Sequence, residues 1–288
     1  MQFLIDTLLN AAMASAATAL VSIGLALIFG VMRVENFAHG ELYMVGAYVT
    51  WYVTVKIGLG YFAGLAGAVA VTAAIGAFME VALFRRLRSN PVGALIVTVG
   101  VLLILQTSMV WLAGINSTLL VDSPFPGALR LGPINLPWHR LFVIVSAIVL
   151  LACLAWLLRG TRFGWAIRAA AQDREAASLQ GISIGRVGVY ALMLSAGLAG
   201  AAGSLMAPLV RISPFMGQPI IITAFIVVIM GGIGSIEGAI IASVLYSTFY
   251  TFISAYIDGT IATIAGLCIM LAVLVFMPSG LLGKAEKV

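Results

Sequence analysis

Apolar runs follow one another along this chain at about 7–32, 41–57, 61–83, 93–113, 141–158, 187–209, 220–231, 236–257 and 261–277. A helix that crosses a bilayer needs about 20 apolar residues, and most of these runs supply them. The run 220–231 is too short to cross alone, so it reads as a half-helix or as part of a broken span. The runs are continuous and lack period-two alternation, which argues against a transmembrane barrel. The pattern predicts an all-α polytopic transmembrane bundle of about eight to nine spans with at least one broken helix. It forms one domain over residues 1–288.

Composition agrees. The 288 residues are 62% hydrophobic and 9% charged, with a mean hydropathy of +1.16. Soluble chains are about 45–50% apolar and about 25% charged, and no soluble fold hides this much apolar surface. Cys153 and Cys268 lie inside apolar runs and read as small buried hydrophobes. The first run has no Lys or Arg before it, which argues against a cleaved signal peptide.

The basic residues set orientation rather than suggesting nucleic acid. Arg85-Arg86-Leu87-Arg88 is placed in the cytoplasm, and alternation follows from there. Cytoplasmic segments then carry Arg33, Arg85, Arg86, Arg88, Arg159, Arg162, Arg168, Arg174, Arg186, Lys284 and Lys287; external ones carry Lys56, Arg130, Arg140 and Arg211. The N-terminus falls outside and the C-terminus inside. The extracytoplasmic loop 114–140 holds four prolines (124, 126, 133 and 137). It cannot be a long helix, and reads as a stiff connector or a docking site for an extracytoplasmic partner.

One polar patch interrupts the apolar pattern: Arg33-Val34-Glu35-Asn36-Phe37-Ala38-His39-Gly40-Glu41. Membrane proteins concentrate charge where a pathway, a gate or a partner needs it. Arg33, Glu35, Asn36, Phe37, His39, Gly40 and Glu41 are therefore gate candidates, with Glu35 or Glu41 available to pair with Arg33. A solvated surface patch is the alternative. A second candidate is Gly231-Gly232-Ile233-Gly234-Ser235-Ile236-Glu237-Gly238. Four glycines in an apolar run suggest a broken helix near the pathway or a tight interfacial turn. Glu80, close to Arg85, reads as a snorkelling interfacial acid. Gly197, Gly200 and Gly203 give close helix packing, and Gln106-Thr107-Ser108 an interhelical hydrogen bond, with pathway lining as the alternative. Arg33-Val34-x-x-Phe37 also matches Arg211-Ile212-x-x-Phe215 across the membrane, as an inverted repeat requires.

The cytoplasmic loop 159–186 holds a further motif. Asp173 can cap a two-turn helix that starts near Glu175 and ends at Gly181. A helix that short is marginal alone and must pack on something. Glu175-Ala176-Ala177-x-x-x-Gly181, preceded by Arg168, Gln172, Asp173 and Arg174, resembles the EAA loop of ABC importer permeases, which docks on ATPase subunits. With the blocks 24–31, 36–41 and 231–238, nearly the whole chain resembles permeases of high-affinity branched-chain amino acid ABC importers. The Leu-Pro that closes the broader EAA motif is absent.

The resemblance implies an inner-membrane permease that imports branched-chain amino acids. Its implied partners are a second homologous permease, two ATPase subunits and an extracytoplasmic substrate-binding protein. Urea or short amides, or a self-sufficient secondary transporter, are the alternatives. No P-loop is present: Gly280-Leu281-Leu282-Gly283-Lys284-Ala285 has the wrong spacing and lacks the hydroxyl. Neither zinc-protease nor nucleophile-elbow spacing occurs. A transport subunit without enzyme activity, metal or cofactor is expected.

Overall fold

A computed structural model describes residues 2–88, 90–131 and 134–283. Lys284 and Lys287, which contribute to the charge bias, lie outside the described residues. The helices are α1 (Gln2–Met32), α2 (His39–Trp51), α3 (Tyr61–Met79), α4 (Arg85–Leu87), α5 (Pro91–Ala113), α6 (Trp138–Gly160), α7 (Arg162–Gln172), α8 (Arg174–Leu179), α9 (Ile184–Met206), α10 (Gly217–Gly231), α11 (Ile236–Tyr256) and α12 (Gly259–Phe276). A π-helical turn, Tyr52–Lys56, extends α2, and another, Glu80–Phe84, joins α3 to α4. Among the described residues seven helices are long and apolar enough to span a bilayer: α1, α3 continued through α4, α5, α6, α9, α11 and α12. The bundle expected from the apolar runs is therefore present, and α2 and α10 are its short members.

Contacts sort the helix ends into two sets. Arg159 at the end of α6 meets Glu237 at the start of α11, Gly234 sits against Gly30 of α1, and Leu281 and Leu282 donate to the last carbonyls of α10. Arg88 joins the same end through Glu80, whose carboxylate packs on Gly188 of α9. This is the basic end. At the opposite end, Phe3 packs on Tyr256, Tyr61 donates to the Ser204 carbonyl, and an antiparallel bridge joins Leu119 to Ile212.

Two helices form the centre. The most hydrophobic window of α1 is 78% buried and that of α9 72%, against 11% for α5 and α12. α1 packs on α11, α9 on α2 and α3, and α1 and α9 on each other. The small stripe on α9 permits this closeness. A Cβ on Gly203 would collide with the Tyr43 carbonyl, and one on Gly200 with Thr72. The stripe thus serves packing within the chain, where small residues let backbones approach.

Three expectations need correction. Cys153 and Cys268 are exposed rather than buried. They face outward from α6 and α12, where lipid accepts what water would not. Glu80 does not snorkel: it is wholly buried and ion-paired to Arg88. Its side chain turns inward against Gly188 of α9, where Arg88 reaches it. Arg33 is paired with neither Glu35 nor Glu41. Its backbone turns at φ 51° as α1 ends, leaving its side chain at the surface, while Glu41 points inward. Among the described residues, 114–137 hold no helix, in keeping with the prolines there, but they do hold a hairpin of β1 (Ala128–Leu131) and β2 (Ile134–Pro137).

Candidate functional site

Two short helices start inside the bundle. After α1 ends at the basic end, residues 33–38 turn back between the helices, and α2 begins at His39. Its imidazole Nε2 donates to the Val21 carbonyl at 3.0 Å. Val21 lies three turns before α1 ends, roughly 16 Å along the axis at ~1.5 Å per residue, about half of a ~30 Å hydrocarbon core. At the opposite end, residues 207–216 fold back in the same way and α10 begins at Gly217. The two N-termini meet. A Cβ on Gly217 would lie 2.7 Å from the Gly40 carbonyl oxygen, and one on Gly40 would strike the Gly217 carbonyl. The repeated pairs, Arg33 with Phe37 and Arg211 with Phe215, thus sit in two re-entrant segments that enter from opposite ends.

Polar side chains surround the start of α2 at this junction. Asn36, His39 and Glu41 are fully buried, whereas Arg33 and Glu35 are exposed at the mouth. Phe37 packs on Phe225 of α10 with ring centroids 4.9 Å apart, and its amide donates to the Thr98 hydroxyl of α5. Gln106 donates to Glu41 Oε1 at 2.9 Å, the interhelical bond expected of it. Among the described residues, Ser22 Oγ, both amide atoms of Asn36, His39 Nδ1 and Glu41 Oε2 are buried without hydrogen-bond partners. Each such group costs about 1–3 kcal/mol. A carboxylate, a carboxamide, an imidazole and a hydroxyl near the start of α2 thus have free bonding capacity, His39 on the side of α1 and Glu41 on the side of α5 and α10. A separate cavity of about 120 Å³ lies between Ala17 and Val21 of α1, Tyr43 of α2 and Ile220 and Ala224 of α10.

The second candidate motif lies elsewhere. Gly231–Gly238 is a tight turn at the basic end: Ser235 caps α11 by accepting from the Gly238 amide at 3.0 Å, and Glu237 pairs with Arg159 at the surface. Gly234 approaches Gly30, so this stretch meets block 24–31 at the end of α1, away from the buried Asn36, His39 and Glu41. Of the two readings given for this stretch, the geometry is that of the interfacial turn. The helix breaks are 33–38 and 207–216.

The third motif folds as its residues dictate. Asp173 Oδ1 accepts from the amides of Glu175 and Ala176 at 2.8 and 3.0 Å and starts α8. At the far end, Ile182 donates to Ala177 and Gly181 to Ser178, a Schellman closure with Gly181 at φ 82°. Ala177 is buried, whereas Asp173, Glu175 and Ala176 are exposed. A helix that the loop's composition did not announce, α7, precedes it. Thr161 caps α7 by accepting from Gly164, Arg168 lies over the Trp165 ring at 5.3 Å, and Gln172 ends it, exposed. A groove of about 410 Å³ runs between Arg33 and residues 170–175.

Comparison with known proteins bears on what this arrangement serves. Residues 7–279 match the family described as branched-chain amino acid transport system / permease component. The chain belongs to that family. It is 30% identical to the high-affinity branched-chain amino acid transport system permease protein LivH of Salmonella typhimurium, over 99% of this chain and 97% of that protein. It is 29% identical to LivH of Escherichia coli K12 over the same shares. Identity to the permease protein BraD of Pseudomonas aeruginosa is 27%, over 98% and 96%. The resemblance carried by residues 24–31, 36–41, 172–181 and 231–238 is thus the family of the whole chain, and the chain is a permease component.

Sequence reasoning missed the 207–216 segment as the partner of 33–38. The Arg33/Arg211 repeat was the signal for it. It also missed that Arg88 neutralises Glu80, for which no spacing rule exists across a π turn.

Proposed function

We propose that this permease forms the translocation pathway of an ATP-driven ABC importer for leucine, isoleucine and valine in a bacterial inner membrane. The observation that carries this reading is α8. It is a helix of six residues, capped at both ends, presented with its acidic first turn exposed at the basic end of a family-matched permease. Nothing among the described residues covers that turn, and so short a helix needs a partner to justify its rigidity. Two ATPase subunits, a second homologous permease and an extracytoplasmic binding protein complete the importer. The basic end faces the cytoplasm by charge bias, with the N-terminus outside and the C-terminus inside.

Asp173, Glu175, Ala176 and Gly181 form the ATPase contact, with Gln172 and Arg174 beside them. Asn36, His39 and Glu41 line the inner part of the pathway, while Arg33 and Glu35 stand at its mouth. Unpaired polar atoms at half-depth support that role, because intramembrane polar groups are costly unless used. Gly231–Gly238 holds α10 and α11 together at the cytoplasmic end, where its movement would follow that of α1.

The test is reconstitution of the permease with its ATPases and binding protein in proteoliposomes. ATP-dependent uptake of labelled leucine is expected, with isoleucine and valine competing. Glu175→Arg should abolish uptake and release the ATPase subunits while leaving the permease in the membrane. Uptake without ATPase subunits, or normal uptake by Glu175→Arg, would overturn the assignment.

A further inference from the structure

The short helix α8 is joined to the core of the bundle by one side chain. Arg174 Nε and Nη2 both donate to the Val31 carbonyl, at 2.8 and 2.5 Å. Val31 lies in the last turn of α1, where helix carbonyls have no intrahelical donors left. The guanidinium therefore caps α1 from another element. The negative end of the α1 dipole favours a cation there. The planar fork of an arginine directs two donors to one point, which a lysine cannot reproduce.

Arg174 has no carboxylate of its own among the described residues. Glu80, the acid whose charge acts on it, is engaged by Arg88. Burial, with Arg88 and Arg33 close by, pulls the Arg174 guanidinium below its ordinary range, and Glu80 opposes this. An arginine held among cations without an ion pair is not there for an exposed surface bridge. It is anchored through the end of α1.

The segment beyond α1 gives that anchor a consequence. Two residues after Val31 the chain reverses at Arg33, at φ 51°, and residues 34–38 carry it to the buried Asn36, His39 and Glu41. Arg33 and Arg174 line the same groove of about 410 Å³ beneath α8. Arg174 thus joins α8 to α1 two residues before the turn that opens the re-entrant segment.

Resting on the importer reading, we propose that Arg174 is a positioning residue that couples the two sites. Its guanidinium clasps the C-terminal turn of α1, so that movement imposed on α8 by an ATPase subunit reaches the hinge at Arg33 and the buried polar cluster. Docking and coupling are then separable: Asp173, Glu175 and Ala176 hold the ATPase, and Arg174 transmits its motion.

The experiment uses the assembled importer in proteoliposomes, with binding protein and labelled leucine, and measures substrate moved per ATP hydrolysed. Arg174→Ala should retain its ATPase subunits and hydrolyse ATP, while leucine moved per ATP falls roughly tenfold or more, the factor carried by loss of a charge-assisted bond. Arg174→Lys should fall by less, because one donor replaces two. An unchanged ratio in Arg174→Ala would overturn the clasp. So would loss of the ATPase subunits from that variant, which would make Arg174 a docking residue. If Arg174→Ala does not fold and is missing from the membrane, Arg174→Lys decides: a wild-type ratio there contradicts a two-donor clasp. Failure of the unaltered importer to move leucine with ATP would instead defeat the importer reading, and the clasp with it.

Discussion

The two re-entrant segments share a plan and differ in content. Each follows a central helix, carries Arg-x-x-x-Phe, turns inward and starts a short helix against the other. The segment from the basic end brings Asn36, His39 and Glu41 into the core with unpaired polar atoms. The segment from the opposite end brings Ile212, Pro214 and Gly217, and is fastened by the mutual hydrogen bonds of Ile212 and Leu119, each 3.0 Å. One is polar and tied to α8 through Arg174; the other is apolar and pinned to the 114–127 loop. The two arms thus share a frame and divide its content between polar side chains and backbone packing. One arm carries buried polar groups without partners, and the other meets it through the backbone at Gly217.

The largest effect should come from removing the surface both arms share. Gly217→Leu places a side chain where Gly40 and Glu41 already lie. Overpacking costs about 1–3 kcal/mol and more when backbone must move, so loss of the folded permease is expected in detergent melting and membrane yield. Normal melting would show that the half-helices do not meet as described.

A smaller effect separates packing from chemistry in the polar arm. Glu41→Ala strands the Gln106 donor and should cost about 1–3 kcal/mol. Glu41→Gln leaves Gln106 an acceptor and should melt close to the unaltered chain. If the carboxylate serves the pathway, uptake falls in both. If Glu41→Gln transports normally, the acid serves packing alone. The smallest effect contrasts the two arginines. Arg33 sits at positive φ, which costs an L-residue roughly 1–2 kcal/mol, so Arg33→Gly should raise stability by roughly 1 kcal/mol or less after the added chain entropy. Arg211, without positive φ, should gain nothing from the same change. Equal shifts would remove the backbone distinction between the arms.

Much of this was legible in the residues. The apolar runs marked each span to within a few residues, since hydrocarbon thickness dictates length. Asp173 and Gly181 marked α8 because capping is local chemistry. The hinge at Arg33 and the clasp on Val31 were not legible. Both depend on residues brought together from distant parts of the chain, and a backbone carbonyl leaves no trace in sequence. The outward faces of Cys153 and Cys268 were hidden for a related reason: in a bilayer, apolar character no longer separates inside from outside. The β1–β2 hairpin lay between prolines that excluded a helix without requiring strands.

If Asn36, His39 and Glu41 line the pathway, position 36 becomes accessible when the importer turns over. The most direct test is Asn36→Cys, with Cys153 and Cys268 replaced, in the assembled importer. Labelling by a membrane-impermeant maleimide is measured with and without ATP and binding protein. Protection at rest and labelling during turnover, from the basic face, are the predicted result. Protection under every condition from both faces would contradict a pathway through this junction.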